Sequence, residues 1–223
     1  LKAVKDRETL EKVKAREILE WCADAAWHSA DPGMQCDTTI NKWHTCPATG
    51  RINGSNPCSE YMHLDNSACN LASINLMKFV DGSGEFDLEG FRQAVKIFII
   101  AQDIIVGHSS YPTEKIAQNA VAYRQLGLGY ANLGAMLMYK GLPYDSEEGR
   151  TWAEAITSIL TGEAYVTSTY LAEAVGAFAG YEKNREPMLN VLKMHGEEAN
   201  KIGRKYLPPE IWEGAKACWR AAY

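Results

Sequence analysis

Asn56-Pro57-Cys58-Ser59-Glu60, running on as Tyr61-Met62-His63-Leu64-Asp65-Asn66-Ser67-Ala68-Cys69-Asn70, places an amide, a thiol and a carboxylate at alternate positions. In an extended chain alternate side chains point to one side, so Asn56, Cys58 and Glu60 are expected to project together. Pro57 lacks a backbone N–H and fixes its own φ, which disfavours a helix here. A second thiol, Cys69, follows a short way on. A hydrogen-bonding amide, a redox-capable sulfur and a base on one edge suit chemistry on a hydroxylated substrate. The competing reading is bland: cysteine is among the most buried residue types, and Asn and Ser around a proline usually mean a turn.

The longer string decides between them. Ser55 to Leu76, SNPCSEYMHLDNSACNLASINL, closely resembles the finger loop and following barrel strand of ribonucleotide reductases, in the wording of the adenosylcobalamin-dependent class. Asp31-Pro32-Gly33-Met34-Gln35, Thr39-Ile40-Asn41-Lys42-Trp43-His44-Thr45 and Tyr123-Arg124-Gln125-Leu126-Gly127-Leu128-Gly129-Tyr130 fit the same family, in the right order. Cys36 departs from the aromatic expected there and is given no role.

The resemblance implies a fold class and a set of roles. The fold is α/β: part of the ten-stranded α/β barrel of ribonucleotide reductases, predominantly helical, with a central finger loop at about residues 45–68 in a partial catalytic barrel domain over 1–223. Cys58 would be the thiyl radical that takes and returns the 3′-hydrogen of the ribose. Glu60 would be the general base for the 3′-hydroxyl, and Asn56 would hold the ribose hydroxyls. Cys69 would be one of two cysteines that supply reducing equivalents and end as a disulfide, its partner lying outside this chain. Pro57 and Ser59, with the backbone of 56–60, would help to seat the ribonucleotide. A side chain cannot generate the radical alone, so a cofactor must, here adenosylcobalamin. A thioredoxin-like dithiol reductant, nucleotide effectors bound by other segments and a homodimer of the full-length protein complete the implied partners. The same reaction with a radical from a separate metal-containing subunit, and a thiol-rich zinc-binding helical module without enzymatic activity, are the alternatives.

Composition bounds the rest. A chain of 223 residues can form one large domain or part of a bigger one. A net charge of −5 excludes a broad basic surface of the kind that binds nucleic acid. No apolar run reaches membrane-spanning length, and the charged start shows no signal peptide, so a cytoplasmic location is expected. The six cysteines include no C-x-x-C pair, and reduced thiols are the expectation. A zinc site from Cys36, His44, Cys46 and Cys58 matches none of the usual ligand spacings. The chain starts without Met and stops in a helical pattern, which reads as an interior piece of a catalytic subunit, inactive alone.

Helical spacing predicts helices over roughly 6–30, 88–107, 147–175 and 187–203, and a last one after Pro208-Pro209. Asp87, Thr113 and Ser146 are the expected N-caps, and Gly176 the expected stop. Residues 69–80 read as a strand entering a helix or loop. The 88–107 helix is apolar enough to predict burial on two sides. Gly127 and Gly129 lack the other parts of a dinucleotide or phosphate fingerprint and are read as close-packing glycines opening a helix. His44 and His63 are read as packing or surface groups, His108 as a helix-end contact, and Cys22 and Cys218 as core.

Overall fold

A computed structural model describes residues 2–223, and they form two compact units divided after Ile40. In the first, α1 (Ala15–Ser29) is shorter than the periodicity predicts. Local turn chemistry takes the preceding residues: Arg7 has φ 63° and the Asp6 carboxylate accepts the Glu8 N–H at 3.0 Å. Side-chain bonds of this type compete with the helix ladder. Cys22 is half-buried in α1, which has no fully buried residue. The short α2 (Asp37–Lys42) includes the sequence boundary between the units.

The second unit holds a parallel strand pair, β1 (Asn70–Asn75) and β2 (Leu126–Ala131), in register from Asn70 opposite Leu126 to Asn75 opposite Ala131. A single 3-10 turn (Leu76–Phe79) follows β1. The crossover between the strands is α3 (Leu88–His108) and α4 (Glu114–Tyr123), as a parallel pair requires. Asp87 and Thr113 cap them as the sequence predicts, accepting from the N–H groups of Gly90 and Ile116. After β2 come α5 (Leu133–Tyr139), α6 (Glu147–Val175), α7 (Tyr181–Ala199) and α8 (Pro209–Ala222). Ser146 caps α6 and Gly176 ends it. Gly127 and Gly129 lie inside β2 rather than opening a helix, and close packing is right for Gly127: a Cβ there would meet Leu71 Cδ2 at 2.4 Å.

The core lies where α6 crosses α3 and α8. Phe91, Val95 and Ile99 from α3 meet Ile156, Ile159 and Leu160 from α6 and Ile211, Ala215 and Trp219 from α8. Full burial of each such side chain contributes about 1.5–3 kcal/mol. At Gly162 a Cβ would lie 2.3 Å from Cys218 Sγ, so the helices approach over a missing side chain. Ser158 is satisfied inside this core: its Oγ donates to Ala215 O at 2.6 Å and accepts from Trp219 Nε1 at 2.9 Å. One face of α3 is buried, but Ile97 and Ile104 are more than half exposed. Periodicity measures how wide an apolar face is, not what covers it.

Ile74, Leu126, Leu128 and Tyr130 pack the strands on the core, and one buried residue bonds to both of them. Gln102, 3 % exposed on α3, donates to Asn70 O at 3.1 Å and Gly127 O at 2.9 Å, and Asn70 Nδ2 donates back to Gln102 O at 3.0 Å. The first residue pairs of both strands are thereby fixed to α3, and Cys69 stands immediately before them.

Candidate functional site

Residues 56–59 form a turn instead of an extended run. The Ser59 N–H donates to Asn56 O at 3.1 Å, and Ser59 has φ 64°. Left-handed backbone at a non-glycine residue costs roughly 1–2 kcal/mol, so the surroundings must hold it. The alternation expected for Asn56, Cys58 and Glu60 therefore does not apply. The turn lifts Cys58 to an exposed tip, with Pro57 and Ser59 also exposed, and leaves Asn56 half-buried at its base. Asn56 Oδ1 accepts the Tyr61 N–H at 3.0 Å, which fixes the exit from the turn. The amide expected to hold a ribose thus spends its oxygen on the loop.

Glu60 lies within electrostatic range of Cys69. Burial, and then the negative charge of Glu60, raise the Cys69 thiol above its ordinary range. Cys69 is half-buried, and its sulfur lies beside β2, 3.4 Å from where a Cβ on Gly127 would be. Tyr61 is next to this pair, its hydroxyl donating to Ser67 Oγ at 2.8 Å. Burial outweighs that bond and, with the Cys69 and Cys46 thiols nearby, pushes Tyr61 up to about 12.

Two histidines sit under the loop, both neutral. His44, 4 % exposed, accepts the Cys46 N–H on Nδ1 and so donates from Nε2 to Gly50 O at 3.0 Å. His63 accepts from Gln125 Nε2 at 2.8 Å on its Nδ1. Burial, with His44 beside it, pushes His63 down to about 4. The two rings meet edge to face at 5.6 Å. The sequence reading of both as packing groups is correct, but it missed that they pack the loop itself. Cys46 is buried and its thiol raised by burial, and Cys218 is core, as expected. His108 ends α3.

A cleft of about 700 Å³ opens beside the loop, with Glu60, Tyr61 and His63 on one wall and Asp103, Arg124 and Gln125 on another. That volume is within the range of small-ligand sites. Arg124 terminates α4 in left-handed backbone, φ 50°, and pairs through Nε with Asp103 Oδ1 at 2.7 Å. Among the described residues, no group of three or more His, Cys, Asp or Glu side chains is placed to hold a metal ion. No helix among them is long and apolar enough to cross a membrane.

Comparison with known proteins gives a consistent result. Residues 1–219 match the family model described as ribonucleotide reductase, barrel domain. The chain is 56 % identical over 205 residues to a protein of Rhodopirellula baltica named vitamin B12-dependent ribonucleotide reductase, covering 92 % of this chain and 20 % of that protein. A Streptomyces coelicolor protein of the same name is 52 % identical, with 96 % of this chain and 22 % of the relative covered. A vitamin B12-dependent ribonucleoside-diphosphate reductase of Thermoplasma acidophilum is 32 % identical, with 78 % and 23 % covered. The chain spans about a fifth of the length of these curated relatives.

Proposed function

The chain belongs to the ribonucleotide reductase family, and from that premise we propose that it carries the finger loop of an adenosylcobalamin-dependent enzyme reducing ribonucleotides to 2′-deoxyribonucleotides. The parallel pair β1–β2 with its helical crossover is then one segment of a ten-stranded α/β barrel. The observation that carries the reading is the turn at 56–59, which exposes the Cys58 thiol at its tip within the matched family segment.

The cofactor, when bound, supplies the radical that a thiol cannot generate alone. What this chain offers it is chemically suited: an exposed S–H on a short turn, with no metal-ligand cluster among the described residues to compete. Cys58 gives up its hydrogen atom, takes the 3′-hydrogen from the ribose, and returns it after the 2′-oxygen has left as water. Glu60 accepts the 3′-hydroxyl proton as general base while the radical is at C3′. Asn56 Nδ2 orients the ribose hydroxyls. Cys69 and a second cysteine outside this chain give two electrons and two protons and become a disulfide. A dithiol reductant restores them. Atoms balance as ribonucleotide plus two thiols giving deoxyribonucleotide, water and a disulfide. The relatives named above are all vitamin B12-dependent, which favours this radical source over a separate metal-containing subunit.

Cys58→Ser in the full-length reductase tests the proposal. Deoxynucleotide formation is expected to fall to background with substrate binding retained. Appreciable turnover in that variant would remove Cys58 from its role.

A further inference from the structure

The finger loop buries Cys46, Ile52 and Leu64 at its base but exposes its tip, so something must hold that tip where chemistry can use it. Besides Asn41, which bonds the Ile52 backbone, and His44, which bonds Gly50 O, four side chains from α4, the entry to β2 and α7 contribute. On the outgoing leg, Thr49 Oγ1 accepts from Tyr123 Oη at 2.9 Å and from Asn184 Nδ2 at 2.8 Å, while Asn184 Oδ1 accepts the Ala48 N–H at 3.0 Å. Asn184, on α7, is fully buried. On the returning leg, Gln125 Nε2 donates to His63 Nδ1. Asn119 Nδ2 donates to the carbonyls of Asp65 at 3.2 Å and Asn66 at 2.9 Å. Asn119, Tyr123 and Gln125 belong to one stretch, the end of α4 and its entry into β2.

That stretch is itself fixed. The Arg124–Asp103 pair ties it to α3, and the Gly180 N–H donates to Ala122 O at 3.2 Å. At Gly180 a Cβ would fall 2.2 Å from Tyr123 Cε1, so the tyrosine ring is seated against bare backbone. The α4–β2 junction therefore bonds to both legs of the loop.

We propose that Asn119, Tyr123 and Gln125 are positioning residues that clamp the two legs of the finger loop and set the placement of Cys58 and Glu60. The inference rests on the proposed role of Cys58. A displacement near 1 Å at a reacting group costs on the order of 100-fold in rate. Loss of a clamp residue displaces Cys58 and Glu60 and is expected to lower kcat more than it changes KM.

His63 gives a decisive variant pair. In His63→Asn, the Asn Oδ1 stands where Nδ1 stood and still accepts from Gln125. In His63→Leu the acceptor is gone. In the full-length reductase, His63→Leu and Gln125→Leu are expected to lower kcat roughly 10- to 100-fold with KM changed less than about threefold. His63→Asn should recover most of that loss. Tyr123→Phe, which deletes one hydroxyl and keeps the ring, tests the outgoing leg with minimal disturbance and should lower kcat several-fold. Formation of cob(II)alamin, followed by its absorbance, should slow in parallel with kcat. Equal impairment of His63→Asn and His63→Leu, or clamp variants with kcat within twofold of wild type beside an inactive Cys58→Ser, would overturn the clamp. Turnover in Cys58→Ser would instead overturn the reading beneath it.

Discussion

The finger loop and the helical body are held by opposite means. Around Phe91, Ile156, Ile159 and Ile211 the body is cohesive through apolar burial, with Ser158 paired inside it. Between Ala48 and Ser67 only Ile52 and Leu64 are buried apolar anchors, and both lie outside the main core cluster; directional bonds from single amides and hydroxyls set the rest of the loop, over imidazoles kept neutral. Apolar packing is strong and tolerant of direction, whereas a hydrogen bond contributes only about 1 kcal/mol net but prescribes geometry. Stability and placement are thus assigned to different regions, and substitutions should separate them.

The largest separation is expected at Cys69. Cys69→Ser should leave the fold and the start of radical chemistry intact while abolishing multiple turnover with a dithiol reductant, a loss of at least about 10³-fold as expected when one member of a catalytic unit is removed. Release of free base from the stalled substrate, measured by chromatography, is the accompanying sign. Normal multiple turnover would contradict the reducing role.

Phe91→Ala addresses the body. Removing a fully buried aromatic ring should cost about 3–5 kcal/mol. Hydrogen exchange in the full-length protein should show loss of protection over α3, α6 and α8 together. Protection lost only in the loop would reverse the comparison.

Acid should act on the loop first. The folded His63 lies at about 4 against an ordinary 6.5, so the opened loop binds a proton more readily than the closed one. Closure is at full strength above pH 6.5 and weakens as pH falls toward 4, by up to about 3 kcal/mol. Loop amides, corrected for intrinsic exchange, should lose protection across that window while α6 does not. His63→Asn should flatten the slope, leaving only the share of His44, which burial also lowers. An unchanged slope would mean that His63 is not the titrating group.

The smallest effect is expected at Asn119→Ala. It removes the bonds to Asp65 O and Asn66 O, and loop opening should become easier by about 1 kcal/mol. The denaturation midpoint of the body should not move.

What the sequence shows of this molecule follows the range of its interactions. Caps at Asp87, Thr113 and Ser146 are legible because capping is settled within three residues. The same locality misleads at 6–14, where the Asp6 turn overrides an apolar period, and at 56–60, where the left-handed Ser59 replaces an extended run. Cys58, Glu60 and Cys69 stand out because their spacing belongs to a family wording. Asn119, Gln125 and Asn184 do not, since an isolated amide has no pattern and their partners lie 53 to 136 residues away. The exposed Ile97 and Ile104 show the complementary limit: an apolar face is written in the sequence, its cover is not.

The strand register carries a consequence best put as polymer statistics. Hydrogen-bonded pairing with β2 begins at Asn70, so Cys69 is one link from a rigid ladder, while Cys58 stands about a dozen links out. A free chain of that length spreads its end over roughly 20 Å, since end-to-end distance grows with the square root of length. Radical transfer asks for placement within about half an ångström. One thiol inherits its coordinates from the sheet at almost no further entropic cost, whereas the other must have nearly all of its configurational freedom removed along the way.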